Sequence, residues 1–201
     1  MGSAYPQVLE ELIEALKGLP GIGRRSAERT ALALLKWRPE KLQYLGEHIA
    51  VLADAVTRCP CCGNLSEKGE LCPICSDPHR DGTQICVVED FSQIFSIEKS
   101  GSYRGVYHVL GGKLSPLEQR SAEELSVDRL LTRLETQEVK ELILALNSDV
   151  EGRATAIYLA ELCTGKAGTI SQLAQGLPAG ADIGYADGAT ISAALSGRVK
   201  L

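Results

Sequence analysis

Apolar residues recur at helical spacing early in the chain and gather into short unbroken runs later. Within 7–17, Val8, Leu9, Leu12, Ile13 and Leu16 share one face, which predicts an amphipathic helix. Gly and Pro in 18-GLPGIG-23 should end it. A second helix is expected over 25–37, with Ser26 as its cap. A third is expected over 39–56, where Leu42, Leu45, Ile49, Leu52 and Ala53 line up and Pro39 suits the first turn.

From residue 84 the pattern changes. The runs 84-QICVVE-89, 105-GVYHVLGG-112 and 140-KELILALN-147 read as buried strands. Helical patterns at 91–99, 121–135 and 152–163 lie between and after them. Strands alternating with helices imply an α/β fold with a mainly parallel sheet. The tail from Gly168 adds one more expected strand, a Gly/Pro-rich loop and a short final helix over 188–196. A chain of 201 residues has room for one to two domains with real cores.

Composition matters here mainly through the cysteines. No apolar run approaches the ~20 residues of a membrane span. No signal peptide is visible, so the chain is expected in the cytoplasm with its seven cysteines reduced. In that setting 59-CPCCGNLSEKGELCPIC-75 reads as a metal site. Cys59/Cys62 and Cys72/Cys75 are two Cys-x-x-Cys pairs separated by nine residues, a spacing that offers four thiolates tetrahedrally to Zn²⁺. Cys61 offers a rival register. Cys62 is preferred because Gly63 follows it, as in a zinc knuckle. A site of four thiolates has no open position for substrate, so the metal is expected to be structural. Cys86 and Cys163 read as buried apolar residues, and His79 as a surface residue.

Net charge is −5, which argues against a strongly basic nucleic-acid binder. The distribution alters that picture. Residues 23–38 hold five basic side chains (Arg24, Arg25, Arg29, Lys36, Arg38) against Glu28, or +4 in sixteen residues. The loop 19-LPGIG-23 between two helices looks like that of a helix-hairpin-helix, whose glycines and following helix N-terminus suit a phosphate backbone. Arg25 and Arg29, four apart, share a face of that helix. An ordinary helical hairpin with solvated arginines, or one used for subunit contact, fits the same pattern. Aromatic residues are 4% of the chain, too few for an extended base-stacking platform.

Acidic residues stand at two strand ends. Glu89 follows 85-ICVV-88, and Asn147-x-Asp149-x-x-Gly152 follows 142-LILAL-146. Carboxyl ends of parallel strands converge on one crevice, where such groups can hold Mg²⁺ for phosphoryl transfer. Asn147 brings an oxygen without charge, which depletes the site. Asp149 and Glu151 equally suit the cap and first turn of the helix that follows.

In this order the hairpin, the four cysteines and the acidic strand ends resemble the bacterial RecR family of recombination mediators along essentially the whole chain. The resemblance lies in 19-LPGIGRRSAERTA-31, 72-CPICSDPHRD-81, 85-ICVVED-90, 104-RGVYHVLGGKLSP-116 and 151-EGRATAIYLA-160. It implies a helix-hairpin-helix domain over 1–58, a four-cysteine zinc finger over 59–75, a Toprim domain over 83–178, and a C-terminal extension over 179–201 exchanged between subunits. It further implies dimers and ring-shaped tetramers around DNA, with Arg25 and Arg29 lining the ring. The expected function is non-catalytic: with RecO and RecF, to load RecA onto single-stranded DNA coated by SSB, in the cytoplasm at the nucleoid. Glu89 and Asp149 would contact a partner or bind Mg²⁺ weakly. The alternative is a Mg²⁺-dependent Toprim nuclease or primase-like enzyme. The chain departs from the family at Arg153, where an acid is usual.

Overall fold

The computed structural model describes residues 4–115 and 121–199; the tips of the expected 1–58 and 179–201 segments and the 116–120 stretch lie outside them. The chain divides into two compact units, Met1–Ala55 and Val56–Leu201.

The first unit is helical: α1 (Gln7–Lys17), α2 (Arg24–Leu34) and α3 (Pro39–Ala55). Leu9 and Ile13 of α1 pack on Ala27 and Ala31 of α2, with Tyr5, Leu16 and Ile22 alongside. Small alanines on α2 let the two backbones approach. The loop between the helices turns at Gly21, whose φ of 75° is accessible to glycine without a Cβ penalty. One expectation changes here. Gly23, not Ser26, is the cap of α2, without a side-chain cap bond, and the helix starts at Arg24. It also stops at Leu34. Residues 35–37 continue as turns, with Trp37 N–H donating to Leu34 O at 2.9 Å. No residue of α3 is buried, and Ile49, Val51 and Leu52 remain more than half exposed.

The second unit opens with an antiparallel hairpin, β1 (Val56–Arg58) and β2 (Leu65–Glu67). The chain then builds a four-stranded parallel sheet in the order β4-β3-β5-β6. Its strands are β3 (Asp81–Val88), β4 (Gly105–Val109), β5 (Glu141–Leu144) and β6 (Thr169–Gln172). Helices α4 (Phe91–Ser100), α5 (Val127–Thr136), α6 (Val150–Cys163) and α7 (Gly188–Ser196) follow in chain order. The expected 121–135 helix begins instead as a 3-10 turn over Ala122–Glu124 before α5. The expected 105–112 strand keeps its ladder past Val109, with Leu110 N–H on Val88 O and Gly111 N–H on Glu89 O.

Strand alternation sends side chains to two cores. Ile85, Val87, Leu142 and Leu144 meet Leu130 and Leu134 of α5 and Leu159 of α6. On the other face Cys86, Val88, Tyr107 and Val109 meet Ile94 of α4. Each fully buried Leu or Ile contributes about 1.5–3 kcal/mol. Parallel strands covered on both faces are apolar at every position, which is why 85–88 reads as an unbroken run. Among the described residues, no helix is long and apolar enough to cross a membrane.

Candidate metal centre and the basic and acidic faces

The four predicted cysteines converge. The sulfurs of Cys59, Cys62, Cys72 and Cys75 all lie within 4.8 Å of one another, with Cys62 and Cys72 at 3.5 Å. Four thiolates about 2.3 Å from a zinc ion would stand roughly 3.8 Å apart, so the cluster fits that ion. His79 is exposed and outside the cluster. Backbone N–H groups point at the sulfurs: Asn64 to Cys62 at 3.4 Å, Cys72 to Cys59 at 3.3 Å and Cys75 to Cys72 at 3.4 Å. A metal binds the thiolate form of such sulfurs, and these N–H groups supply hydrogen bonds around them.

The knuckle rests on the sheet. Val109 N–H donates to Cys62 O at 2.8 Å, at the end of the β3–β4 pairing. Gly63 sits at φ 79°, and a Cβ there would lie 3.2 Å from the Val109 Cβ. Both conformation and space therefore favour glycine. Arg129 of α5 donates to the carbonyls of Cys59 and Pro60. Neither the β1–β2 hairpin nor this arginine was visible in the sequence. Three-residue strands give too short an alternation to detect, and a lone basic residue on a helix carries no sign of its target.

On the first unit, Arg25 and Arg29 line one open concavity with Lys36. Arg24 does not join them. Its guanidinium binds Glu10, Glu14 at 2.7 Å and Glu28 at 2.8 Å. Hydrogen bonds to Glu28 and Glu10 push its pKa higher still. The +4 of the sequence is thus redistributed: one cation holds α1 to α2.

The acidic positions are filled by the protein's own donors. Glu89 is buried at the end of β3 and accepts from Asn147 twice, from the backbone N–H and from Nδ2, each at 2.7 Å. Gln93 holds the other side of Asn147, donating to Oδ1 at 3.2 Å, while its Oε1 accepts from Glu89 N–H. Asp149 caps α6, with Oδ1 accepting from Gly152 N–H at 2.7 Å. Lys113 binds Asp149 and reaches Glu151 at 3.2 Å. Its ammonium, with the Gly152 N–H, holds the Asp149 carboxyl below the usual range. Gly152 is required because a Cβ would lie 2.1 Å from Asn147 O. So Glu89 and Asp149 share the end of the sheet, but each carboxylate is bound by different donors. Among the described residues no second group of His, Cys, Asp or Glu gathers its ligand atoms as the cysteines do. Lys113 was not singled out in the sequence; its position past the end of β4, beside the β3 crevice, is the signal that could have found it.

Two other buried groups are structural. Burial pushes the Cys86 thiol up to about 12 and the His108 imidazole down to about 4, so both are neutral near pH 7. His108 Nε2 meets Ser126 O at 2.8 Å.

A helical hairpin, a four-cysteine knuckle and a parallel α/β sheet with acidic strand ends define a class: a zinc-finger protein built around a Toprim domain. Sequence comparison agrees region by region. Family models described as RecR helix-hairpin-helix, RecR four-cysteine zinc finger domain, Toprim domain and RecR C-terminal match residues 9–54, 56–77, 83–174 and 176–199. The chain is 43% identical over 198 residues to the recombination protein RecR of Bifidobacterium adolescentis, covering 98% of each. It is 44% identical over 197 residues to that of Moorella thermoacetica, again 98% of each. Against that of Rhodospirillum rubrum it is 45% identical over 190 residues, 94% of this chain and 96% of the relative. The chain belongs to the RecR family. That family is one of recombination proteins.

Proposed function

We propose that this chain is a DNA-binding recombination mediator that assembles through its own copies into a ring-like clamp. In this reading it acts with RecO and RecF to load RecA onto SSB-coated single-stranded DNA, in the cytoplasm at the nucleoid. The observation that carries the reading is the division of labour on α2. Arg24 is tied to three carboxylates, whereas Arg25 and Arg29 stand beside Lys36 in one open concavity. Such a surface binds phosphates and carries little sequence information. Several copies around one channel would concentrate this field although each chain is net −5. The uncovered apolar residues of α3 support self-association into dimers or tetramers.

Cys59, Cys62, Cys72 and Cys75 hold one structural Zn²⁺ in this reading, and the ion would fix the knuckle rather than act on substrate. Glu89 and Asp149 serve structure and partner contact and bind Mg²⁺ only weakly, since Asn147 and Lys113 already occupy their oxygens. Arg25→Ala with Arg29→Ala tests the basic face. DNA affinity should fall, and the dependence of log affinity on log salt should become shallower, by roughly 0.9 for each phosphate no longer neutralised. Unchanged affinity and slope would remove these two arginines from the interface.

A further inference from the structure

Aromatic residues are scarce in this chain, yet the first unit sets three ring side chains in a row. Trp37, the single tryptophan, precedes α3, and Tyr44 and His48 lie on that helix. Lys41 Nζ stands 3.7 Å from the centre of the Trp37 ring. Lys41 and Tyr44 are three apart on α3 and so share a face. The Tyr44 and His48 rings follow, with centres 3.9 Å apart and planes tilted by 37°. His48 Nδ1 donates to Tyr44 O at 2.8 Å, which holds the imidazole beside the phenol ring. The order along the helix is therefore ring, cation, ring, ring. Tyr44 is 63% exposed, Lys41 and His48 are exposed, and Trp37 is half-buried.

This row is not the apolar face of α3. Leu42, Leu45 and Ile49 line a separate groove with Leu12 and Leu16 of α1. The row instead continues the basic concavity, because Lys36, which lines that concavity with Arg25 and Arg29, directly precedes Trp37.

We propose that Trp37, Lys41, Tyr44 and His48 form a base-stacking track for single-stranded nucleic acid. The inference rests on the reading of Arg25 and Arg29 as a phosphate-binding face and adds what that face lacks, a contact with bases. Every unpaired base offers a π-face to a ring, and a cation set between rings meets the phosphate that links two such bases. Bases in a duplex are already stacked on one another, so the track selects single strands. Charge alone does not account for the row. Over 36–48, Lys36, Arg38 and Lys41 against Glu40 and Glu47 leave a net +1. The stacking contribution therefore persists at salt concentrations that weaken the arginine contacts.

The test uses the full chain and three probes: a single-stranded thymidine oligonucleotide, an abasic strand of the same length, and a duplex. Trp37 fluorescence reports the track directly, since no other tryptophan contributes. The base-bearing strand should quench it and bind more tightly than the abasic strand, and the duplex should leave it unchanged. Tyr44→Ala should weaken binding of the base-bearing strand by about tenfold, with abasic affinity and salt dependence as in the parent. Tyr44→Phe should bind as the parent does. Equal affinity for base-bearing and abasic strands, quenching by the duplex as strong as by the single strand, or Tyr44→Ala binding like the parent would overturn the proposal. So would a Tyr44→Phe loss as large as that of Tyr44→Ala, because the hydroxyl and not the ring would then matter. A Tyr44→Ala variant that loses both strands alike and changes its assembled mass would make the row a subunit contact instead. Failure of the phosphate reading has a different signature: an unchanged salt slope when Arg25 and Arg29 are replaced, with the difference between base-bearing and abasic strands intact.

Discussion

The knuckle and the end of the parallel sheet both collect the side chains of a metal site, and they are satisfied in opposite ways. At the knuckle the donors around the sulfurs are backbone N–H groups, none of which carries a charge. A cation is what the cluster lacks. At the sheet end the protein supplies the compensation itself, through the Asn147 amide on Glu89 and the Lys113 ammonium on Asp149. Residue types alone did not separate the two; the neighbours of each anion did. The lesson is that a metal site is recognised by unmet charge and convergent geometry, and acidic residues without convergence amount to ordinary caps and ion pairs.

The strongest way to test the contrast is to remove a ligand. Cys72 is fully buried, and few apolar residues surround the cluster beyond Ile74 and the cysteines themselves. Structural zinc supplies on the order of 10 kcal/mol of folding free energy in zinc-finger peptides, so the knuckle should not survive without it. Cys72→Ser is expected to abolish bound zinc and to open residues 56–77 to hydrogen exchange, while the sheet, with its two apolar cores, stays protected. Retention of one zinc per chain in this variant would refute the four-thiolate assignment.

A smaller effect is expected from converting the second place toward the first. Asn147→Asp replaces the amide donor on buried Glu89 with a second carboxylate. Two carboxylates in contact disfavour ionising together, and a donor to Glu89 is lost. Stability should drop by about 1–2 kcal/mol at pH 7, measured by denaturant unfolding. Millimolar Mg²⁺ should recover part of the drop. The parent protein should show no comparable Mg²⁺ response. A variant as stable as the parent, without Mg²⁺, would mean that the Asn147 amide does not matter to Glu89.

How much of this was legible beforehand differs between the regions for physical reasons. Helix α1 and the strands of the sheet were visible because burial imposes a period of 3.6 on Leu9 and Ile13 and an unbroken run on 85–88. The cysteine set was visible because a knuckle needs two residues between ligands. What stayed hidden depends on contacts between residues far apart in sequence. Glu89 and Asn147 are 58 positions apart, and Lys113 and Asp149 are 36 apart. Local caps were read imperfectly as well. Ser26 has the residue type of a cap, but the chain enters α2 before it, through the extended Gly23 that follows the Gly21 turn.

The mildest probe concerns Asp149, which is exposed and acts through its cap and its lysine. Its folded pKa lies below the ordinary value, first because of Lys113 and then because of the Gly152 N–H. A depressed carboxyl pKa contributes stability that is complete above the unfolded value, near 3.9, and is lost as pH falls through the folded one. Asp149→Asn keeps an oxygen for the Gly152 N–H and removes the charge. The variant should melt slightly below the parent at pH 7, and the two melting temperatures should converge as the pH is lowered through and below about 4. At high salt the gap at pH 7 should narrow, because the Lys113 contact is solvent-screened. A gap that stays constant from pH 7 to pH 3 would show that the capping oxygen, and not the charge, is what Asp149 contributes, and the sheet end would then owe less of its self-sufficiency to Lys113.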